Sequence, residues 1–362
     1  MDYKEDPKKG GESMKKILVL IGIILFSASM LATEVCAEQK AAPKDWPVDI
    51  VFGGGPSPAS SHYLLVAYLG NQLRKEYGIR STPVPGNSEK NCLAVAQGER
   101  AVAMAVGPIP GYALNGEQTF ARVGPQKALR LMTVTSDIYF AFFALKRTGI
   151  NSIADLRGKK LAGDYKGASY MLMLIKEILP AYGLTEKDVI IGVYGKAPEA
   201  WNNVASGLAD AGASIGPHGL PWVKEFFMKY DGMFIPLSEN AIKRAASRWN
   251  WVFPGIIAPG LYRGVDKEVP TLKLRLNLLT NRDLPDDFVY QLLDYMYGEK
   301  YRSDFEKVHR VFAKEVTVDR AVTNYTVPYH AGAVKYYKEK GVWNSTVDKW
   351  QKDFLKRLGE KR

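Results

Sequence analysis

From residue 48 onward the apolar positions alternate between two rhythms. Runs at 48–52, 101–106, 189–194 and 209–215 are short and nearly continuous in Val, Ile, Ala and Phe, the pattern of strands buried on both faces. Between them, apolar residues recur three and four positions apart, as at Tyr63, Val66, Ala67 and Leu73, or at Met171, Leu174, Ile175 and Ile178. That spacing marks one face of a helix. Each run passes into the next helix through a turn rich in Gly, Ser, Asn or His, at 53–63, 86–91, 163–170 and 216–219. Strand, turn and helix repeating with short connections predict parallel α/β lobes. A helix capped by Ser88 is expected to end at Gly98, and 129–135 and 139–145 are expected as two adjacent strands. The chain is then divided into a first lobe over 38–144, a second over 145–238, and a return to the first over 239–362.

The segment 1–37 stands apart from this pattern. Lys15 and Lys16 precede a ten-residue apolar run at 17–26, and Val35-Cys36-Ala37 supplies small residues before Glu38, which together predict a secretory signal cut after Ala37 and a periplasmic protein. A bilayer-spanning helix needs about 20 apolar residues, so the run predicts no permanent anchor. The TEVC sequence at 33–36 lacks a lipoprotein box, and the polar residues 1–13 are set aside from the fold. Cleavage leaves Cys92 as the only cysteine, in an apolar helical stretch where it is expected to pack as a small buried hydrophobe.

Length and composition, 362 residues with 46% hydrophobic content, allow two domain-sized cores. The formal charge of +11 favours anionic partners. Nucleic acid is not expected, because the basic residues are scattered and no nucleic-acid-binding signature accompanies them. The GGGPSPASS turn lacks the Gly-Lys-Ser/Thr of a P-loop and the spacing of a dinucleotide fingerprint. The four histidines, His62, His218, His309 and His330, show no metal or protease spacing, no serine sits in a nucleophile elbow, and no carboxylate pair marks a general acid and base. No metal, cofactor or catalytic residue is therefore expected. What remains is the set of turns. In an open parallel sheet they lie at the carboxyl ends of strands, where helix N-termini present free N–H groups to an anion, although Gly and Ser are also what any tight turn requires. His62 and His218 fall in these turns as hydrogen-bonding candidates.

Five segments in order, GNSEKNCLAVAQGERAVAMA, TGINSIADLRGKKLAGD, APGLYRGVDKEVPTL, DLPDDFVYQL and YHAGAVKYYKEKG, resemble the TAXI family over essentially the whole region after residue 37. These are the extracytoplasmic solute-binding subunits of tripartite ATP-independent periplasmic (TRAP) transporters. The resemblance implies a two-lobed type II periplasmic-binding fold with a hinge and an interlobe cleft. It further implies a small carboxylate ligand and delivery to TRAP-type permease subunits; the protein is expected to be a monomer. The family's Gly-Gly-Thr-Tyr-Tyr turn falls on Ala59, Ser60, Ser61, His62 and Tyr63, and its Gly-Ser-x-x-Asn on Asn87, Ser88 and Asn91. Two polar stretches become Val106-Gly107-Pro108 and Ser169-Tyr170-Met171. The turns and the resemblance together place the ligand among Ser60, Ser61, His62, Tyr63, Asn87, Ser88, Asn91, Gly107, Ser169, Tyr170 and His218. The less polar positions predict a carboxylate with an apolar or aromatic portion, since an ammonium buried there would lack a partner. Three alternatives stand beside this: an ABC-type substrate-binding protein, a ligand-sensing periplasmic protein, and an exported enzyme using His62 or His218.

Overall fold

The computed structural model describes residues 39–166, 168–323 and 326–360, so the expected signal segment and its cleavage after Ala37 lie outside the described residues. In chain order, β1 (Asp49–Gly53) leads to α1 (Ser61–Tyr77), β2 (Arg80–Val84) to α2 (Ser88–Ala96), and β3 (Val102–Val106) to α3 (Ile109–Asn115). The long β4 (Leu129–Leu145) is followed by β5 (Lys160–Tyr165), α4 (Tyr170–Ile178), β6 (Ile190–Tyr194), α5 (Ala197–Ser206), β7 (Ala211–Gly216), α6 (Pro221–Lys229) and β8 (Gly232–Ile235). Then come α7 (Glu239–Arg248), β9 (Val252–Ile257), the long β10 (Val269–Asn281), and the helices α8 (Asp286–Tyr297), α9 (Glu299–Val308), α10 (Arg310–Glu315), α11 (Ala331–Glu339) and α12 (Ser345–Arg357). The strands join in the order β2-β1-β3-β10-β4-β7-β5-β6, with β8 also paired to β4 and β9 to β10.

Two parallel sets, β1 with β2 and β3, and β5 with β6 and β7, are the α/β lobes. Between them β4 and β10 run antiparallel through both lobes, from Asn281↔Leu129 in the first to Leu272↔Phe140 in the second. Arg275 pairs with Asp137 and Asn277 with Val134, so Thr135 and Ser136 together face the single residue Leu276. This is a β-bulge, which bends and twists the ribbon where the lobes meet. Two expectations change here. The candidates 129–135 and 139–145 are one strand, because the polar Ser136-Asp137 that reads as a break is the bulge inside it. The lobe boundaries likewise fall at the bulge rather than at 145 and 239: α7 packs on α4, and β9 pairs with the second-lobe half of β10.

Both faces of β4 are covered, so it is buried at nearly every position and its two halves are largely apolar. Phe140 and Phe142 belong to the larger core with Leu174 and Ile178, whereas Ala141 and Phe143 face Trp201, Phe226 and Phe234 in a second, aromatic core. Phe143 and Trp201 stack with centroids 3.5 Å apart. Each such ring removed from water contributes roughly 1.5–3 kcal/mol, so the bending ribbon is clamped between two dry layers. Cys92 is buried in the larger core, and burial pushes its thiol well above the ordinary range.

Candidate functional site

The last residue of β3, Val106, pairs with Leu276, and the last residue of β7, Gly216, pairs with Tyr139. The carboxyl ends of the two parallel sets therefore approach the bulge from opposite directions. The turns after β1, β2, β5 and β7 lie at these strand ends, where open parallel sheets form their binding crevice, and α1, α2 and α4 begin there.

On the first-lobe wall, Ser60 occupies the cap position of α1 without capping it; its Oγ donates to Ser57 O at 2.7 Å. Thr135 Oγ1 donates its one proton to Leu276 O, so the 2.6 Å contact from His62 Nε2 must be an N–H donated to Thr135. Nδ1 is then the acceptor, and the Ser61 hydroxyl 3.2 Å away donates to it. His62 is 2% exposed and held in the neutral form, burial being the main cause and the charge of His309 a lesser one, with its pKa lowered to about 4. Because the unfolded chain binds a proton on this residue below about pH 6.5 and the folded chain refuses it until about pH 4, stability falls as pH drops through that window. The size is on the order of 3 kcal/mol. Urea midpoints at pH 7 and 4.5 should show His62→Gln losing less on acidification than the parent; equal losses would remove His62 from the account.

Tyr63 donates from its hydroxyl to Pro83 O at 3.2 Å, and Gly54 lies so close that a Cβ there would come 2.7 Å from Tyr63 Cα. At α2 the cap is Asn87 rather than Ser88: Asn87 Oδ1 accepts from Lys90 N at 2.9 Å. Ser88 Oγ instead accepts from Val106 N at 3.1 Å, tying α2 to the end of β3. Asn91 is fully buried and spends both amide protons on Gly54 O and Met104 O, while its Oδ1 accepts from the Arg100 guanidinium. It holds the site's backbone in place and has no donor left for a solute. Gly107, at φ +43°, donates its N–H to Arg275 O at 2.8 Å and so pins β3 to the hinge.

On the second-lobe wall, Ser169 is exposed and makes no side-chain cap, whereas Tyr170 is 3% exposed and Met171 lies wholly in the core. His218 stacks on Tyr139 at 3.5 Å, its pKa lowered to about 4 mainly by burial. Behind it a cavity of about 30 Å³, lined by Trp201, Ser214, Phe234 and Tyr262 among others, has room for water but not for an organic acid. Of the four serines in the expected ligand set, Ser60 and Ser61 have committed their protons, which leaves Ser88 and Ser169 together with the helix N–H groups.

The floor holds a cluster that sequence reasoning missed. Asp137, 2% exposed, pairs with Lys273 at 3.1 Å, with Arg320 at 2.7 Å and with Arg275, and its N–H donates to Glu315 at 2.9 Å. Burial alone would raise the Asp137 carboxyl, but Arg275, Arg320 and Lys273 outweigh it and hold it below the usual carboxylate range. The signal was there: a lone aspartate in the middle of an apolar strand needs a partner.

Among the described residues, no helix is long and apolar enough to cross a membrane, and no group of three His, Cys, Asp or Glu could hold a metal ion. The chain is similar in fold to PhnD1 from Prochlorococcus marinus in complex with methylphosphonate, at 12% identity and a TM-score of 0.50, over 82% of this chain and 100% of that one. It also aligns with the alkanesulfonate-binding protein SsuA from Xanthomonas axonopodis pv. citri (16% identity, TM-score 0.44, 82% and 91% covered). A third match is the periplasmic aliphatic sulphonate binding protein SsuA from Escherichia coli (15%, 0.45, 86% and 87%). The two lobes, the shared hinge strands and the interlobe cleft are those of the type II periplasmic-binding fold. Residues 54–341 match the NMT1-like family, and with that match covering the cleft, the hinge and most of both lobes, the chain belongs to the NMT1-like family.

Proposed function

We propose that the protein is an extracytoplasmic solute-binding protein whose lobes close over a small organic anion and present it to a membrane transporter. The observation that carries this is the convergence of both sets of strand ends, with the starts of α1, α2 and α4, on a cleft floored by a bendable ribbon. Such a cleft binds by hinge closure, and the helix N-termini offer an anion N–H groups and partial positive charge. The solved chain of the same fold that holds methylphosphonate, a small organic anion, supports the ligand class. Membership of the NMT1-like family supports delivery to an ABC-type transporter better than to a TRAP-type permease or assignment to the TAXI family. Catalysis by His62 is disfavoured, since both of its ring nitrogens are engaged inside the protein.

Mass spectrometry of solute released from the purified protein should identify a small acid. Added back at a hundred times its dissociation constant, that acid should stabilise by about 2.7 kcal/mol, a rise in Tm of roughly 5–10 °C. Conversion of the acid, or no shift with any organic acid, would count against the proposal. Uptake into vesicles bearing the cognate permease separates the transporter classes: dependence on ATP favours the ABC-type partner, and dependence on an ion gradient the TRAP-type.

A further inference from the structure

The cavity behind His218 is lined by two polar groups that the fold does not satisfy. Ser214, in β7, is 5% exposed; its Oγ accepts from Trp201 Nε1 at 3.1 Å, and its own proton has no acceptor among the described residues. His218 Nε2 is buried and has no hydrogen-bond partner among them either. Both groups face one space of about 30 Å³, room for roughly one or two water-sized groups. The two ends of this space differ. The turn after β7, from Ile215 to Leu220, and the ring of Tyr139 are half-buried, whereas Trp201, Phe234 and Tyr262 beyond them are 3%, 6% and 6% exposed. The cavity therefore runs inward from the carboxyl end of a parallel strand, where open α/β sheets take their ligands.

The lining narrows what can enter. No Asp, Glu, Lys or Arg lines the cavity, and burial keeps the His218 imidazole neutral. A carboxylate or an ammonium drawn inside would lose its water without gaining a counter-ion. A methyl group would suit the rings but leave Ser214 and His218 unpaired, and unpaired buried polar groups are costly. A hydroxyl answers both: its oxygen accepts the Ser214 proton, and its own proton goes to Nε2 when His218 carries its hydrogen on Nδ1. The turn is already fixed for this contact. His218 stacks on Tyr139 at 3.5 Å, and Gly219 N donates to the Tyr262 hydroxyl at 2.9 Å.

We infer that this cavity is the end pocket of the solute site and takes a neutral hydroxyl between Ser214 and His218, so that the solute is a hydroxy acid whose hydroxyl lies remote from its carboxylate. This rests on the strand ends being the solute site. It adds a limit of size and charge: one small neutral group enters, and a second carboxylate does not.

Calorimetry on the full chain, dialysed free of co-purified solute, tests this with two matched sets: 4-hydroxyphenylacetate, phenylacetate and 4-carboxyphenylacetate, and 6-hydroxyhexanoate, hexanoate and adipate. In at least one set the hydroxy acid should bind about tenfold tighter or more than both of its relatives. His218→Phe keeps a ring on Tyr139 but has no nitrogen, and Ser214→Ala has no proton to give. Either should bring the ratio of hydroxy acid to unsubstituted acid toward unity, and His218→Phe carries the test if Ser214→Ala, by stranding the Trp201 N–H, folds poorly. An unsubstituted acid or a diacid binding at least as tightly as the hydroxy acid in both sets, or a ratio unchanged in His218→Phe, would overturn the end pocket while leaving the anion-binding proposal standing. If 4-methylphenol binds and no acid does, the pocket stands and the anion proposal falls; if neither the acids nor the phenol bind, both fall.

Discussion

Replacing Asp137 with alanine should destabilise the protein by about 3–5 kcal/mol, because it strips the shared counter-ion from buried and half-buried cations. Arg275 has a side chain only 12% exposed and stacks 4.8 Å from the Phe253 ring, so it cannot swing into water without uncovering the hinge. Lys273 and Arg320 lose their carboxylate in the same step. At roughly 2–4 °C per kcal/mol for a protein of this size, Tm should fall by about 10 °C. Asp137→Asn should be nearly as damaging, since the carboxamide keeps the shape but not the charge. Acid supplies an independent check. A carboxylate held below its unfolded value near 3.9 contributes stability that is full above about pH 4 and is lost as pH falls through the folded value. The Asp137 variants should therefore lose less than the parent between pH 4 and pH 2. A loss under about 1 kcal/mol, within the range of surface ion pairs, would mean that the cluster is solvated and does not clasp the hinge.

For Asn91→Ala the expected loss is roughly 3 kcal/mol, and it should be seen in urea unfolding without any ligand. Two carbonyls, Gly54 O and Met104 O, lose their donors and the Arg100 guanidinium loses an acceptor, all in places water does not reach. Each buried polar group left unsatisfied costs about 1–3 kcal/mol. Gly53 and Gly86 are packed around the same carboxamide: a Cβ would lie 2.6 Å and 2.3 Å from Asn91 Oδ1. The resemblance to the TAXI motif at this position implies the opposite pattern, weaker binding with unchanged stability. Measuring both quantities on one variant decides between an anchor and a ligand contact.

The alternation of strand and helix was legible because each buried strand reads as an apolar run and each turn announces itself by Gly, Ser or Asn. The same local rules failed wherever the sheet itself set the outcome. Ser136-Asp137 looks like a break between strands because nothing local reveals that Lys273, Arg275 and Arg320 wait for the aspartate. β9 carries Pro254 and Gly255, two residues that disfavour a strand locally, yet it pairs along β10 with both of them in place. A proline is tolerated on a strand that pairs along only one side. At the site, the turns could be read but their hydrogen bonds could not. Whether a serine faces the solute or its own neighbour depends on where one proton goes, as Ser60 and Ser61 show.

The path of β10 through both lobes also sets an order of events for the chain as it is made. Second-lobe pairings are drawn from one uninterrupted stretch between the two passes through the bulge, so that lobe can condense as soon as its residues are available. The first lobe cannot: β3 finds its inner neighbour only when Leu276 to Thr280 arrive, and the helices from α8 onward come later still. Closing so long a loop is entropically slow compared with local pairing. Until then β1, β2 and β3 form a three-stranded fragment with one apolar edge open, the part of the molecule most exposed to pairing with the wrong chain.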